Sequence, residues 1–146
     1  MSDGTGSSGA LVVIEGLDAS GKRTQAERLV RRLDTAGQDA EYIEFPTYDR
    51  TRIGSLIEQY LDGGYDAPPE VAALLYAADR YQMADELEAF MADGGVVVAD
   101  RYSPSNYAFQ AAAADDPAML DWMQDVERRL PQPDLVILLD IPPETA

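Results

Sequence analysis

Runs of apolar residues alternate with stripes of helical spacing along the whole chain. ALVVIE, residues 10–15, is a continuous apolar run ending at a glycine-rich turn, and it predicts a buried strand. Residues 21–36 place Ala26, Leu29, Val30 and Leu33 at i, i+3, i+4 and i+7, the spacing of one helix face, with Gly37 as the stop. AEYIEF, 40–45, alternates as a strand does and ends at Pro46. RIGSLIEQYL, 52–61, predicts a short helix with Ile53, Leu56, Ile57 and Tyr60 on one face, closed by Gly63 and Gly64. Pro68 and Pro69 open a long helix to about Asp93, since proline is tolerated in a first turn. In that helix Val71, Leu74, Leu75 and Ala78 are expected to face the core. GGVVVAD, 94–100, predicts a third strand, and DLVILLD, 134–140, a fourth. Between them, 104–114 and 117–129 predict two helices broken at Asp115, Asp116 and Pro117. IPPETA has the look of the first turn of another helix.

Strand and helix in regular alternation predict an α/β fold, a parallel sheet with helices on both faces. Residues 1–9 are polar and rich in glycine and serine and read as a frayed tail; 10–146 read as one domain. In the fourth strand Val136 and Leu138 point to one face and Leu135, Ile137 and Leu139 to the other. Both faces want covering, so the expectation is a domain incomplete at its C-terminal end.

Composition narrows the chemistry. The 146 residues carry a formal net charge of −16 from 27 acidic and 11 basic side chains, and 46% are hydrophobic. That balance disfavours nucleic acid, whose recognition needs a basic footprint, and disfavours anionic membranes. With neither Cys nor His, thiolate chemistry, disulfides and the commonest general base are absent from the sequence. No apolar run approaches the length of a membrane span. The start shows no signal-peptide pattern. A cytoplasmic enzyme or binding protein is the expectation. The acid excess with so little Lys resembles proteins of salt-loving cytoplasms. The only Lys is Lys22; every other basic residue is Arg.

Lys22 lies in GLDASGKRT, Gly16 to Thr24, after a predicted strand and before a predicted helix. The phosphate-loop pattern G-x-x-x-x-G-K-[ST] is met by Gly16, Gly21 and Lys22, but Arg23 holds the hydroxyl position and Thr24 follows one step late. Such a loop turns backbone N–H groups inward, and the helix start adds partial positive charge. A glycine-rich turn with a surface Lys is the plainer alternative. Asp100, Arg101 and Tyr102 end the third strand, where α/β sheets gather ligands. A carboxylate there can hold a metal-bound water and an Arg can clamp a phosphate, or the pair is a helix cap with a surface ion pair. Tyr76 and Arg80 are four apart and share a helix face, which suits a flat heterocycle bearing carbonyl oxygens, or else a boundary aromatic beside a solvated Arg.

IEGLDASGKRTQ, EFPTYDRTRIGSLIEQYL, LLYAADRYQ, VVVADRYSPSNYAFQ and LPQPDLVILLDIPPE, in that order, resemble the thymidylate kinases, P-loop enzymes that move a phosphate from ATP to dTMP. The resemblance covers nearly everything after residue 10. It implies a P-loop kinase-like sheet with ATP and Mg²⁺ as cofactors, small nucleotides as partners and a homodimer. It implies that Gly16, Leu17, Asp18, Ala19, Ser20, Gly21, Lys22, Arg23 and Thr24 surround the ATP phosphates. Lys22, Asp18, Arg101 and Asp100 would be catalytic, with Asp100 and Thr24 nearest Mg²⁺. The dTMP pocket would be drawn from Asp18, Phe45, Pro46, Tyr76, Arg80, Arg101, Asn106 and Phe109. Tyr76 would stack on the base and Arg80 would bond its carbonyl. Phosphoryl transfer relies on positioning and charge neutralisation, which fits a chain without His or Cys.

The sequence also departs from the family. Arg23 replaces a hydroxyl, and is expected to turn toward the nucleotide. Ala19 stands where some members carry an Arg; members without it draw that cation from a mobile lid after the fourth strand. The lid and a fifth strand are expected to be missing, so activity is expected only where a lid is supplied. Alternatives are a non-catalytic nucleotide-binding remnant or a kinase for another nucleoside monophosphate.

Overall fold

A computed structural model describes residues 9–17, 19–64, 66–142 and 144. The expected N-terminal tail and the helical turn in IPPETA therefore lie mostly outside the described residues. Strand β1 is Ala10–Gly16, helix α1 Lys22–Thr35, strand β2 Ala40–Glu44, helix α2 Arg52–Leu61, helix α3 Pro69–Ala92 and strand β3 Val96–Asp100. Helix α4 is Ser103–Ala114, helix α5 Pro117–Val126 and strand β4 Leu135–Leu139. A 3₁₀ turn, Tyr48–Arg50, precedes α2 and has no counterpart in the sequence pattern. Among the described residues no helix is long and apolar enough to cross a membrane.

The four strands form one parallel sheet in the order β2-β3-β1-β4. Central β3 is buried on both faces, with Val97, Val98 and Ala99 wholly inaccessible, which is why that strand reads as an unbroken apolar run. Two compact units make up the chain. Unit one holds the residues up to Glu44, Ala84–Arg101 and those from Pro131 on; unit two holds Phe45–Met83 and Tyr102–Leu130.

Unit one packs α1 on the sheet. Ile14, Ala26 and Val98 form its buried centre, with Leu29, Val30, Leu33, Tyr42, Ile137 and Leu139 against it. The α1 face expected from the sequence is thus the one used. On β4, Ile137 and Leu139 are covered in this way, while Leu135, Val136 and Leu138 are exposed. Asp134 ties the start of β4 to β1, its carboxylate accepting from the Leu11 N–H at 2.8 Å.

Unit two centres on Ala73, Met119 and Met123, flanked by Tyr107, Ala114 and Trp122. Asp116 caps α5 by accepting from the Ala118 N–H, which explains the break expected at 115–117. Helix α2 buries Gly54 and Ile57, whereas Leu56 is exposed. Helix α3 corrects the sequence reading more sharply. Val71 and Leu74 are exposed, and the buried row is Ala72, Ala73, Ala77, Arg80, Met83, Ala84 and Leu87. At Ala73, in unit two, the backbone of α3 is reached by another side chain, Asn106 Nδ2 donating to the Ala73 carbonyl at 3.3 Å.

Candidate active site

Unit one carries the glycine-rich loop between β1 and α1. Ala19 and Gly21 have φ of 61° and 93°, and Gly21 is the residue before the first helical turn. At Gly21 the left-handed backbone favours glycine. Helix α1 has no side-chain cap and no acidic residue in its first turn. A helix start without a side-chain cap or a first-turn acid is one that suits an external anion. Lys22 is buried, and its Nζ donates to the Leu17 carbonyl across the loop at 2.7 Å. The buried Ser20 Oγ has no hydrogen-bond partner. A side chain at Gly16 would come within 2.9 Å of that oxygen. Asp18 falls outside the described residues.

Arg23 runs along its own helix rather than into the loop. Its guanidinium lies 5.7 Å from the Tyr42 ring centroid, and its Nε 3.6 Å from the Glu27 carboxylate. Glu44 adds to the attraction. These negative groups draw the cation along, where the helix dipole opposes one at the N-terminus. Tyr42 in turn donates from Oη to Oδ2 of the buried Asp100 at 2.9 Å. Burial first, then that bond, pushes the Tyr42 phenol far above the ordinary tyrosine value. Glu44, paired with Asp100 across β2 and β3, is also pushed up, by burial and then by the Asp100 charge, with Arg23 and Arg101 opposing. Arg101 has φ of 70°, takes a backbone bond from its N–H to the Ile14 carbonyl at 2.9 Å, and points Nη2 toward the Gly16 carbonyl at 3.4 Å. Asp100 and Arg101 thus stand at one end of the sheet with the loop.

Thr24 is exposed in the first turn of α1. Among the described residues no three metal-ligating side chains cluster. One carboxylate, Asp100, fits a Mg²⁺ held chiefly by phosphates and water, the usual way this ion binds.

Unit two holds a polar cluster within its core. The Phe45–Pro46 peptide is cis, and Phe45 meets Tyr102 edge-on at 5.6 Å between centroids. The next residue, Thr47, is tied to α3: Asp79 accepts from its N–H at 2.8 Å and its hydroxyl at 2.6 Å. Arg80 is 2% exposed and Glu127 1%. Arg80 Nε donates to Glu127 Oε1 at 2.8 Å, and its Cζ sits 5.6 Å from the Tyr102 ring centroid. Ser103 donates to the same oxygen at 2.7 Å, and Asn106 Nδ2 to Oε2 at 3.0 Å. A solvated Arg80 is thereby corrected: the guanidinium is buried with a countercharge. Tyr76 is half-buried on the same helix. Phe109 falls in α4, but its side chain is outside the described residues.

Sequence reasoning missed Glu127, Asp79, Thr47 and Tyr42. Each acts through a partner 32 to 58 positions away. Only Asp79, next to Arg80 in AADR, carried any local signal.

Comparison with known proteins completes the picture. Residues 14–146 match the family model described as thymidylate kinase. The chain is 37% identical to thymidylate kinase of Danio rerio, over 94% of this chain and 64% of that protein. It is 38% identical to that of Homo sapiens, over 91% of this chain and 61% of the relative. A solved thymidylate kinase from Candida albicans superposes with a TM-score of 0.81 at 29% identity, covering 94% of this chain and 65% of the other. The chain therefore spans somewhat less than two thirds of the length of these relatives.

Proposed function

Since the chain belongs to the thymidylate kinase family, we propose that it serves transfer of the γ-phosphoryl group of ATP to dTMP, giving dTDP and ADP. The observation that carries the reading is the loop: the only Lys of the sequence is buried against a loop carbonyl at an uncapped helix start without acidic residues. A buried ammonium at that place suits the oxygens of a polyphosphate.

On this reading the loop Gly16 to Thr24 holds the ATP phosphates without the side chain of Arg23, and Lys22 neutralises charge that builds on them during transfer. Asp100, with Thr24, would hold Mg²⁺ through its waters; the ion supplies further neutralisation on the phosphates. Arg101 binds the acceptor phosphate, and Asp18 is assigned to the acceptor side on the family resemblance alone. Phe45 and Pro46 shape the acceptor pocket. Tyr76, Arg80, Asn106 and Phe109 take the base. The attacking phosphate oxygen is already anionic, so no general base is required, which agrees with a sequence free of His.

Titration calorimetry on the chain with ATP and with dTMP, each in the presence of Mg²⁺, tests the reading. Saturable binding of both is expected. Binding of neither removes it. Coupled detection of ADP then reports whether transfer follows binding.

A further inference from the structure

Glu127 belongs to no recognised motif of the sequence, yet three side chains of unit two, those of Arg80, Ser103 and Asn106, converge on it. Arg80 Nε and Ser103 Oγ donate to Oε1, and Asn106 Nδ2 donates to Oε2. The other acceptor beside Asn106 Nδ2 is the Ala73 carbonyl at 3.3 Å. Two acceptors therefore face one side of the Asn106 amide. Only its NH₂ can stand there, because the amide oxygen would meet a carboxylate and a carbonyl. The oxygen Oδ1 is left on the opposite side, buried and without a partner. Arg80 is constrained likewise. Its Nε is spent on Oε1; Nη2 crowds the same oxygen off the line of its hydrogens and is also buried without a hydrogen-bond partner.

An unspent acceptor and an unspent donor, each costing of the order of 1–3 kcal/mol when buried alone, are what remains. Neither atom is open to water as the chain stands, so a ligand reaches them only as covering side chains give way. Thymine and uracil show a C4 carbonyl, an acceptor, beside an N3–H donor. Cytosine shows an amino donor beside an N3 acceptor. A fixed donor on Arg80 and a fixed acceptor on Asn106 complement the first pattern and oppose the second.

We infer that Glu127 is a positioning residue that selects 4-keto over 4-amino pyrimidine nucleotides, by locking the Asn106 amide with its oxygen outward and the Arg80 guanidinium with Nη2 unspent. The inference rests on the reading of this cluster as the acceptor-base site. Carboxylate chemistry is essential to it, because an ionised carboxylate can only accept. Glu127→Gln is nearly the same size but brings its own NH₂. With its oxygen kept toward Arg80 and Ser103, that NH₂ faces Asn106 Nδ2, donor against donor. The Asn106 amide then has no single favoured orientation.

The test is titration of the full chain and of E127Q with dTMP, dUMP and dCMP. The wild type is expected to bind dTMP and dUMP at least tenfold tighter than dCMP. In E127Q that ratio is expected to fall at least threefold, with ATP affinity unchanged. Glu127→Asp, which still only accepts, is expected to keep more of the ratio than E127Q. A purely packing role would weaken all three nucleotides equally, so an unchanged ratio in folded E127Q overturns the inference. Binding of none of the three by the wild type overturns the acceptor-site reading itself. Should E127Q not fold, the Asn106 side-chain amide resonances of the wild type decide. Slow exchange of both protons, with and without dTMP, supports the locked amide; fast exchange overturns it.

Discussion

Gly54 sits in the first turn of α2, where substitution by alanine pits two effects against each other. Helix propensity favours Ala over Gly by about 0.5–1 kcal/mol in a helix. The structure opposes it. A Cβ at Gly54 would lie 2.2 Å from the Tyr48 carbonyl oxygen, 2.6 Å from the Tyr48 nitrogen and 2.6 Å from Thr47 Oγ1. Ordinary contact begins about 1 Å farther out, and two of the three atoms are backbone, which cannot turn aside as a long side chain does. Overpacking of this kind costs roughly 1–3 kcal/mol. Relief by moving Thr47 would stretch its bonds to Asp79, at 2.6 and 2.8 Å, and to Thr51 Oγ1 at 2.7 Å. The clash therefore wins, and Gly54→Ala is expected to destabilise by about 1–2 kcal/mol net, lowering Tm by roughly 3–8 °C for a chain of this size. Because the moved segment follows Phe45 and Pro46, dTMP affinity is expected to fall while ATP affinity holds. Thermal melts followed by circular dichroism, with calorimetry for the two ligands, make the check. An equal or higher Tm in G54A would refute the steric argument and leave propensity as the larger effect.

Three further outcomes follow from unit one. Lys22→Ala is expected to weaken ATP binding roughly 10- to 100-fold, the worth of one charge-assisted bond to phosphate; unchanged affinity in calorimetry would remove the phosphate-loop reading. Tyr42→Phe leaves the buried Asp100 without its 2.9 Å donor and is expected to cost about 1–2 kcal/mol in urea denaturation; full wild-type stability would mean that bond contributes nothing. Glu44 has a raised pKa in the folded chain, mainly through burial and then the Asp100 charge. The folded state then keeps a proton that the unfolded state has released, so stability falls as pH rises through the window just above the ordinary glutamate value. Glu44→Gln should accordingly raise Tm relative to the wild type at pH 7 and lose that advantage below pH 4. A gap of the same size at both values contradicts the burial argument.

The parts of the molecule that sequence revealed are those built from neighbours. The four strands and five helices follow from local periodicity, and the loop from a spacing confined to Gly16–Thr24. Arg23 marks where local reasoning stops. Beside Lys22 it looks like a second phosphate ligand, yet Tyr42 and Glu44, brought alongside only when β2 joins the sheet, hold it elsewhere. The same limit hid Tyr42 itself, which reads as an ordinary strand aromatic until β3 places Asp100 beside it.

Helix α3 shows a different failure, one of weighting. Its apolar residues lie all round, so two stripes competed: Val71, Leu74, Leu75 and Ala78 against Ala72, Ala73, Ala77, Arg80, Met83, Ala84 and Leu87. The first stripe has larger side chains near its start, and the second contains an arginine, so area alone favours the first. Burial went to the second because the cost of enclosing Arg80 is offset by Glu127, and that partner lies 47 positions away. An arginine framed by Ala77 and Ala84, one turn before and after it, is itself a readable sign. Alanine on both sides shields nothing from water and gains little by burial. It does leave room for another helix to approach closely, and a charge in that gap needs a countercharge rather than solvent. The residue that answers to it should be sought among acids at the end of another helix, which is where Glu127 stands, just past α5.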